Sequence, residues 1–171
     1  MRIARLMSAA TLLAGAGLLG VLAYQWWGPA PEPSVDTSTV SLTDLDGRPR
    51  TLGEWSGELV LVNFWASWCS PCRREIPMLV EVQQQYRDRG FTILGPAMDR
   101  PDTARDLAVR LGIDYPVFAG DTEIVAAMTA LGDQLGALPY SVLIGRDGRI
   151  LERQSGELHR AELVQLIERH L

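Results

Sequence analysis

Phe64-Trp65-Ala66-Ser67-Trp68-Cys69-Ser70-Pro71-Cys72 is the stretch on which the reading of this chain turns. The run leading into it, Leu59 to Trp65, is almost continuously apolar, the mark of a strand buried on both faces. The segment after it, from about Ser70 to Arg89, sets Ile76, Leu79, Val80 and Val82 on one helical stripe and stops at Gly90. A buried strand thus ends, the chain turns, and a helix starts at the first cysteine. Helical spacing puts Cys69 and Cys72 on one face, within disulfide reach. At a helix N-terminus, free backbone N–H groups and the helix dipole favour a thiolate on Cys69, so its pKa should fall below the free-thiol value of ~8.5. Cys72, one turn further in, is expected to be more buried and to resolve a mixed disulfide.

Two plainer readings compete. A purely structural disulfide across so short a gap removes little loop entropy and stabilises little. A four-cysteine zinc site is excluded, because the chain has 2 cysteines and its 2 histidines, His159 and His170, lack finger-like spacing. Both histidines read as surface positions on the last helix.

The 171 residues leave room for one domain plus a short extra element, and such a domain can fold without disulfide staples. The net charge is −5, and setting aside Arg2 and Arg5 leaves 14 basic against 21 acidic side chains, which argues against a nucleic-acid partner. All 16 cations are arginine, which excludes a Schiff-base lysine and a Walker-type phosphate loop.

Residues 6–27 carry no charge and are long enough to cross a hydrocarbon core of about 30 Å as a helix. Arg2 and Arg5 precede this segment, and no positive charge follows until Arg48. The positive-inside bias therefore keeps residues 1–5 in the cytoplasm and sends the remainder to the periplasmic side of a bacterial inner membrane. Tyr24, Trp26 and Trp27 fall where an interfacial aromatic belt would lie. The expectation is an uncleaved single-pass anchor; a cleaved signal peptide shares the charge pattern and is the competing reading. Residues 28–37, with Pro29, Pro31 and Pro33, read as an extended spacer, and residues 38–171 as the folded domain.

Within that domain, Val40–Leu45 and Arg50–Leu52 about Asp46-Gly47 predict a β-hairpin. Phe91–Gly95 predicts a second buried strand, and Asp102 is expected to cap a helix running to Leu111. A short strand at Tyr115–Phe118 and a helix at Asp121–Leu131 follow. Tyr140–Ile144 then turns through residues 146–149 into Ile150-Leu151, and Leu158–His170 forms a final amphipathic helix through Leu163, Leu166 and Ile167. Strands alternating with helices and a late hairpin imply an α/β class with a mixed sheet.

The segment NFWASWCSPCRREIP resembles the active-site segment of the thioredoxin superfamily, specifically its TlpA/ResA/CcmG (DsbE)-like branch of membrane-anchored thiol–disulfide oxidoreductases. The likeness continues through LTDLDGRPRTLGEWSGELVLVNFW and GALPYSVLIGRDGRI. It implies a thioredoxin-like fold, a central mixed sheet flanked by helices with an N-terminal β-hairpin and a central αβ insertion, preceded by one transmembrane helix. It implies Cys69 and Cys72 as the catalytic pair and protein-disulfide reduction as the activity. A copper-handling protein and a disulfide oxidant of the same fold are the competing functions; neither cysteine follows the Pro-x-x-x-Thr-x-x pattern of a peroxidase. Typical thioredoxins place a buried aspartate on the strand where this chain has Asn63, and in this branch the resemblance moves its role to Glu75. Glu75 would remove the proton of Cys72; a solvated Glu75 paired with Arg73 or Arg74 is the alternative. Leu138-Pro139 resembles the family's cis-proline site, where an extended substrate binds. Tyr140 departs from the branch pattern and would line the groove. Trp68 would be an exposed apolar contact, Ser70-Pro71 would tune the redox potential, and Pro77 would kink the helix. The resemblance implies no cofactor beyond the Cys69–Cys72 disulfide. Its implied partners are protein thiols and disulfides, with apocytochrome c as leading client, and a membrane electron donor of the CcdA/DsbD type acting on a monomer.

Overall fold

A short antiparallel hairpin, β1 (Ser41–Thr43) and β2 (Pro49–Thr51), opens the computed structural model, which describes residues 35–171. Its turn closes as Asp46-Gly47 predicts: Gly47 is left-handed at φ 80°, and Asp44 Oδ1 accepts the N–H groups of Asp46 and Arg48 at 2.9 Å each. The segments expected to be cytoplasmic (residues 1–5) and membrane-spanning (residues 6–27), and residues 28–34 of the expected spacer, lie outside the described residues. Among the described residues no helix is long and apolar enough to cross a membrane.

β3 (Leu59–Phe64) is buried along its whole length, as its apolar run predicts. It leads through the redox loop into α1 (Ser70–Tyr86), which a short 3₁₀ turn and Gly90, left-handed at φ 82°, bring to an end. Pro77 lies inside α1, where its ring nitrogen cannot donate to the Arg73 carbonyl. There follow β4 (Phe91–Ala97), α2 (Pro101–Leu111), β5 (Val117–Ala119), α3 (Thr122–Ala130), β6 (Tyr140–Ile144), β7 (Ile150–Ser155) and α4 (Arg160–His170). The sheet order is β5-β4-β3-β6-β7. β4 runs parallel to β3 and β5, whereas β6 runs antiparallel to β3 and β7. This is the thioredoxin-like mixed sheet, with α2 and β5 as the central insertion.

The two-residue period of the strands sorts side chains into two cores. On one face Leu61, Ile93 and Leu143 pack with Leu79 and Val82 of α1 and with Leu163 and Ile167 of α4. On the other face Val62, Leu94 and Val142 meet Leu42 of the hairpin and Ile124 and Met128 of α3. Asn63, Glu75 and Ser141 are buried polar exceptions.

Two local expectations shift. Helix α2 starts at Pro101 with Arg100 at its N-cap, so Asp102 lies in the first turn and does not cap it. Proline at the first helical position has its φ preset and lacks an N–H that would be unpaired there anyway. β5 is Val117–Ala119 rather than Tyr115–Phe118, because the Tyr115 ring turns inward over Gly95. A Cβ at Gly95 would stand 2.9 Å from Tyr115 Cε2 and 3.1 Å from Trp65 Nε1, so only glycine fits that point of β4.

Candidate active site

The redox loop is tied down before its cysteines begin. Trp65 is fully buried, and its Nε1–H donates to Gly95 O at 3.2 Å. Met98 N–H donates to Trp65 O at 2.9 Å, joining the ends of β3 and β4. Asp99, in the loop after β4, accepts Ser67 N–H at 2.5 Å on Oδ2 and the Ser67 hydroxyl at 2.8 Å on Oδ1. Ser67 therefore cannot swing away, and Cys69 N–H closes a turn onto Ala66 O at 3.1 Å.

Cys69 caps α1, and its Sγ accepts the Cys72 N–H at 3.3 Å. The pair forms a disulfide with S–S 2.00 Å and Cα–Cα 5.4 Å. Cys69 is 5 % exposed and Cys72 fully buried. On reduction, an N–H directed at Cys69 Sγ from the first turn of a helix stabilises a thiolate there rather than a thiol. Ser70 is exposed at the first helical residue and Pro71 follows in the first turn. Trp68, 66 % exposed, stands beside the disulfide. The Leu138-Pro139 bond is cis, Pro139 is buried, and half-buried Leu138 packs against the cluster containing both cysteines.

Glu75 is 2 % exposed, deeper than a partly solvated helix position. Its Oε1 accepts Asn63 Nδ2–H at 2.8 Å and its Oε2 accepts Leu158 N–H at 2.6 Å. Glu75 is buried with Asn63 and Leu158 as its partners, and Arg74 turns outward to Glu157 at 2.6 Å, so the alternative of a solvated Glu75 paired with Arg73 or Arg74 does not hold. Burial pushes the Glu75 carboxyl up to about 7, against the two hydrogen bonds, which favour the ionised form. A carboxyl poised there can take up or return a proton at neutral pH. Spacing of three on α1 puts it on the same side as Cys72.

Tyr140 requires a correction. Its ring is 2 % exposed, stacks on Phe64 at 6.1 Å between centroids, and its hydroxyl donates to Leu131 O at 3.1 Å. Strand alternation sends Tyr140, Val142 and Ile144 into the α3-side core, so the Tyr140 side chain does not line a substrate groove.

The sequence reading missed Asp99 and Ser141. Asp99 had no local signature, since its partner Ser67 is 32 residues away. Ser141 could have been sought: a lone asparagine in a buried strand needs a polar neighbour, and Asn63 pairs in register with Ser141. Asp99→Ala should leave the Ser67 N–H without its acceptor and cost about 1–2 kcal/mol. Thermal unfolding of the oxidised chain should show this as a midpoint lowered by several degrees, and an unchanged midpoint would show that Asp99 does not brace the loop.

A thioredoxin-like sheet that presents a Cys-x-x-Cys disulfide at the start of its first long helix defines a thiol–disulfide oxidoreductase. Residues 33–153 match the AhpC/TSA family, and the chain belongs to it, with relatives in its ResA-like thiol–disulfide oxidoreductases. Thiol-disulfide oxidoreductase ResA of Geobacillus kaustophilus is 32% identical over 131 residues, 76% of this chain and 71% of that protein. ResA of Bacillus anthracis is 29% identical over 156 residues, 89% of this chain and 88% of that protein. A thioredoxin-family thiol:disulfide interchange protein from Chlorobium tepidum TLS has TM-score 0.72 and 29% identity, covering 82% of this chain and 99% of its own.

Proposed function

We propose that this oxidoreductase works as a reductase of protein disulfides, tethered by residues 6–27 to the bacterial inner membrane with its domain in the periplasm. The observation that carries the reading is the Cys69–Cys72 disulfide set on a helix N-terminus with the buried carboxyl of Glu75 one turn inside. In the reduced enzyme the Cys69 thiolate attacks one sulfur of a client disulfide. The client S–S bond breaks, one client thiolate leaves, and a Cys69–client disulfide forms. Glu75 takes the proton of Cys72, and the resulting thiolate attacks Cys69 Sγ. The second client thiolate leaves, so two electrons have passed to the client's two sulfurs and the enzyme is left oxidised as the Cys69–Cys72 disulfide. Trp68 and Leu138-Pro139 offer the client its apolar and main-chain contacts, and Ser70-Pro71 tune the potential. A membrane donor of the CcdA/DsbD type restores the dithiol, and apocytochrome c before haem attachment is the leading client. No cofactor beyond the disulfide takes part, and the enzyme acts as a monomer.

The test is the reduction potential of the full-length chain in dithiothreitol buffers at pH 7. A two-electron couple at or below about −180 mV, the protein disulfide isomerase value, is expected of a reductase. A value near −120 mV, that of DsbA, would make the protein an oxidant and overturn the assignment.

A further inference from the structure

Asn63 is fully buried on β3, opposite Ser141 of β6. One Nδ2 proton goes to Glu75 Oε1 at 2.8 Å and the other to Ser141 Oγ at 3.0 Å, while Asn63 Oδ1 meets no donor. This arrangement suits an ionised Glu75, which only accepts. Once Glu75 has taken a proton, its acid O–H needs an acceptor, and Nδ2 offers none. A half-turn about the terminal torsion, whose rotamers are roughly two-fold, exchanges Nδ2 for Oδ1 in nearly the same volume. Oδ1 then accepts from the Glu75 acid and from the Ser141 hydroxyl, which rotates to donate. Either orientation makes two hydrogen bonds at the inner end of the amide and leaves its outer end empty, so the exchange conserves hydrogen bonds.

We propose that Asn63 and Ser141 form a reversible positioning pair for Glu75: the amide donates to the carboxylate and turns over to accept from the acid each time Glu75 takes the proton of Cys72. This rests on the acid–base reading of Glu75 given above. No covalent bond changes in the pair, since the proton passes from Cys72 Sγ to a Glu75 oxygen and the amide and hydroxyl only reorient. The other groups around Glu75 do not duplicate the role. Leu158 N–H can only donate, Glu157 is engaged by Arg74, and His159 stands exposed at the start of α4. Tyr115, on the approach to β5, has a buried hydroxyl that burial, with the charge of Glu75 in second place, keeps protonated. The two cysteines begin the same helix as Glu75. An ionised aspartate at position 63 would accept from the Glu75 acid but could not donate to the Glu75 carboxylate, which it would repel, so it would not serve both states.

The experiment is an NMR pH titration of the oxidised full-length chain in mild detergent, following the Glu75 carboxyl carbon and the Asn63 side-chain amide together. The Asn63 nitrogen and proton signals should shift with the same midpoint as Glu75. Asn63→Leu takes a partner from both the charged and the acid form and should move that midpoint by no more than about 0.3 unit, whereas removal of an amide fixed as a donor would raise it by about one pH unit, a tenfold change in the ionisation equilibrium. Ser141→Ala removes one bond from each orientation and should move the midpoint by no more than about 0.3 unit. Asn63 signals that stay still through the Glu75 transition, or an Asn63→Leu midpoint raised by about one unit, would overturn the proposal. The parent titration needs no variant to fold. Disulfide exchange by Glu75→Gln is measured separately: parental rates there would defeat the acid–base reading while leaving the Asn63 result to stand by itself.

Discussion

Glu75→Gln is expected to make the oxidised chain more stable at pH 8 by about 1–2 kcal/mol while slowing disulfide exchange roughly 10²-fold. The carboxyl titrates near 7 in the folded chain against 4.5 for an ordinary glutamate. Between those values the folded state holds a proton that the unfolded chain has released. Stability therefore falls as pH rises through this window and is flat above it, with a total loss of about 3 kcal/mol at 1.36 kcal/mol per unit. Glutamine stays neutral throughout and removes that loss. Its amide can accept from Leu158 N–H and donate to a turned Asn63, but its second N–H stays buried without an acceptor, which costs about 1–2 kcal/mol in return. At pH 4.5, where the parent has not yet suffered that loss, the sign should accordingly reverse to a deficit of about 1 kcal/mol. Denaturant unfolding of the oxidised parent and variant at several pH values between 4.5 and 8 checks it; parallel curves would show that Glu75 does not titrate in that window.

Cys69→Ser should abolish exchange, to below about one part in 10³ of the parent rate, because a serine hydroxyl neither ionises at neutral pH nor attacks a disulfide as a thiolate does. Cys72→Ser should behave differently. Cys69 keeps its place at the helix N-terminus and attacks, but nothing resolves the mixed disulfide, so a single encounter stalls. The asymmetry comes from placement: Cys69 retains 5 % exposure and accepts a helix N–H, whereas Cys72 is sealed beneath it. Stopped-flow exchange with a disulfide peptide separates the two variants. Equal residual turnover in both would show that the two sulfurs are interchangeable.

Most of the architecture could be read from periodicity, because the elements that build it are strongly patterned. Leu59–Phe64 is apolar at every position but Asn63, and Ile76, Leu79 and Val82 mark the buried stripe of α1. The redox pair was legible because the chemistry depends on local spacing alone. What depended on register was harder to see. Ser67 finds Asp99 only because β3 and β4 end side by side, and Asn63 finds Ser141 only because β3 pairs antiparallel with β6. Its place after Pro139 suggests a groove position for Tyr140, but the alternation Tyr140, Val142, Ile144 directs the ring into the core. The depth of Glu75 was also hidden, since Leu158, which donates to it, lies 83 residues further along.

The central claim, that Cys69 attacks and Cys72 resolves, is tested most directly by intact mass. The full-length Cys72→Ser chain is mixed with a disulfide-bonded peptide, and the products are weighed before and after dithiothreitol. The expected product is one peptide per chain, joined through Cys69 and released by the reductant, with none on the Cys69→Ser chain. An adduct forming as readily on Cys69→Ser, through Cys72, or no adduct on either chain, would contradict the account.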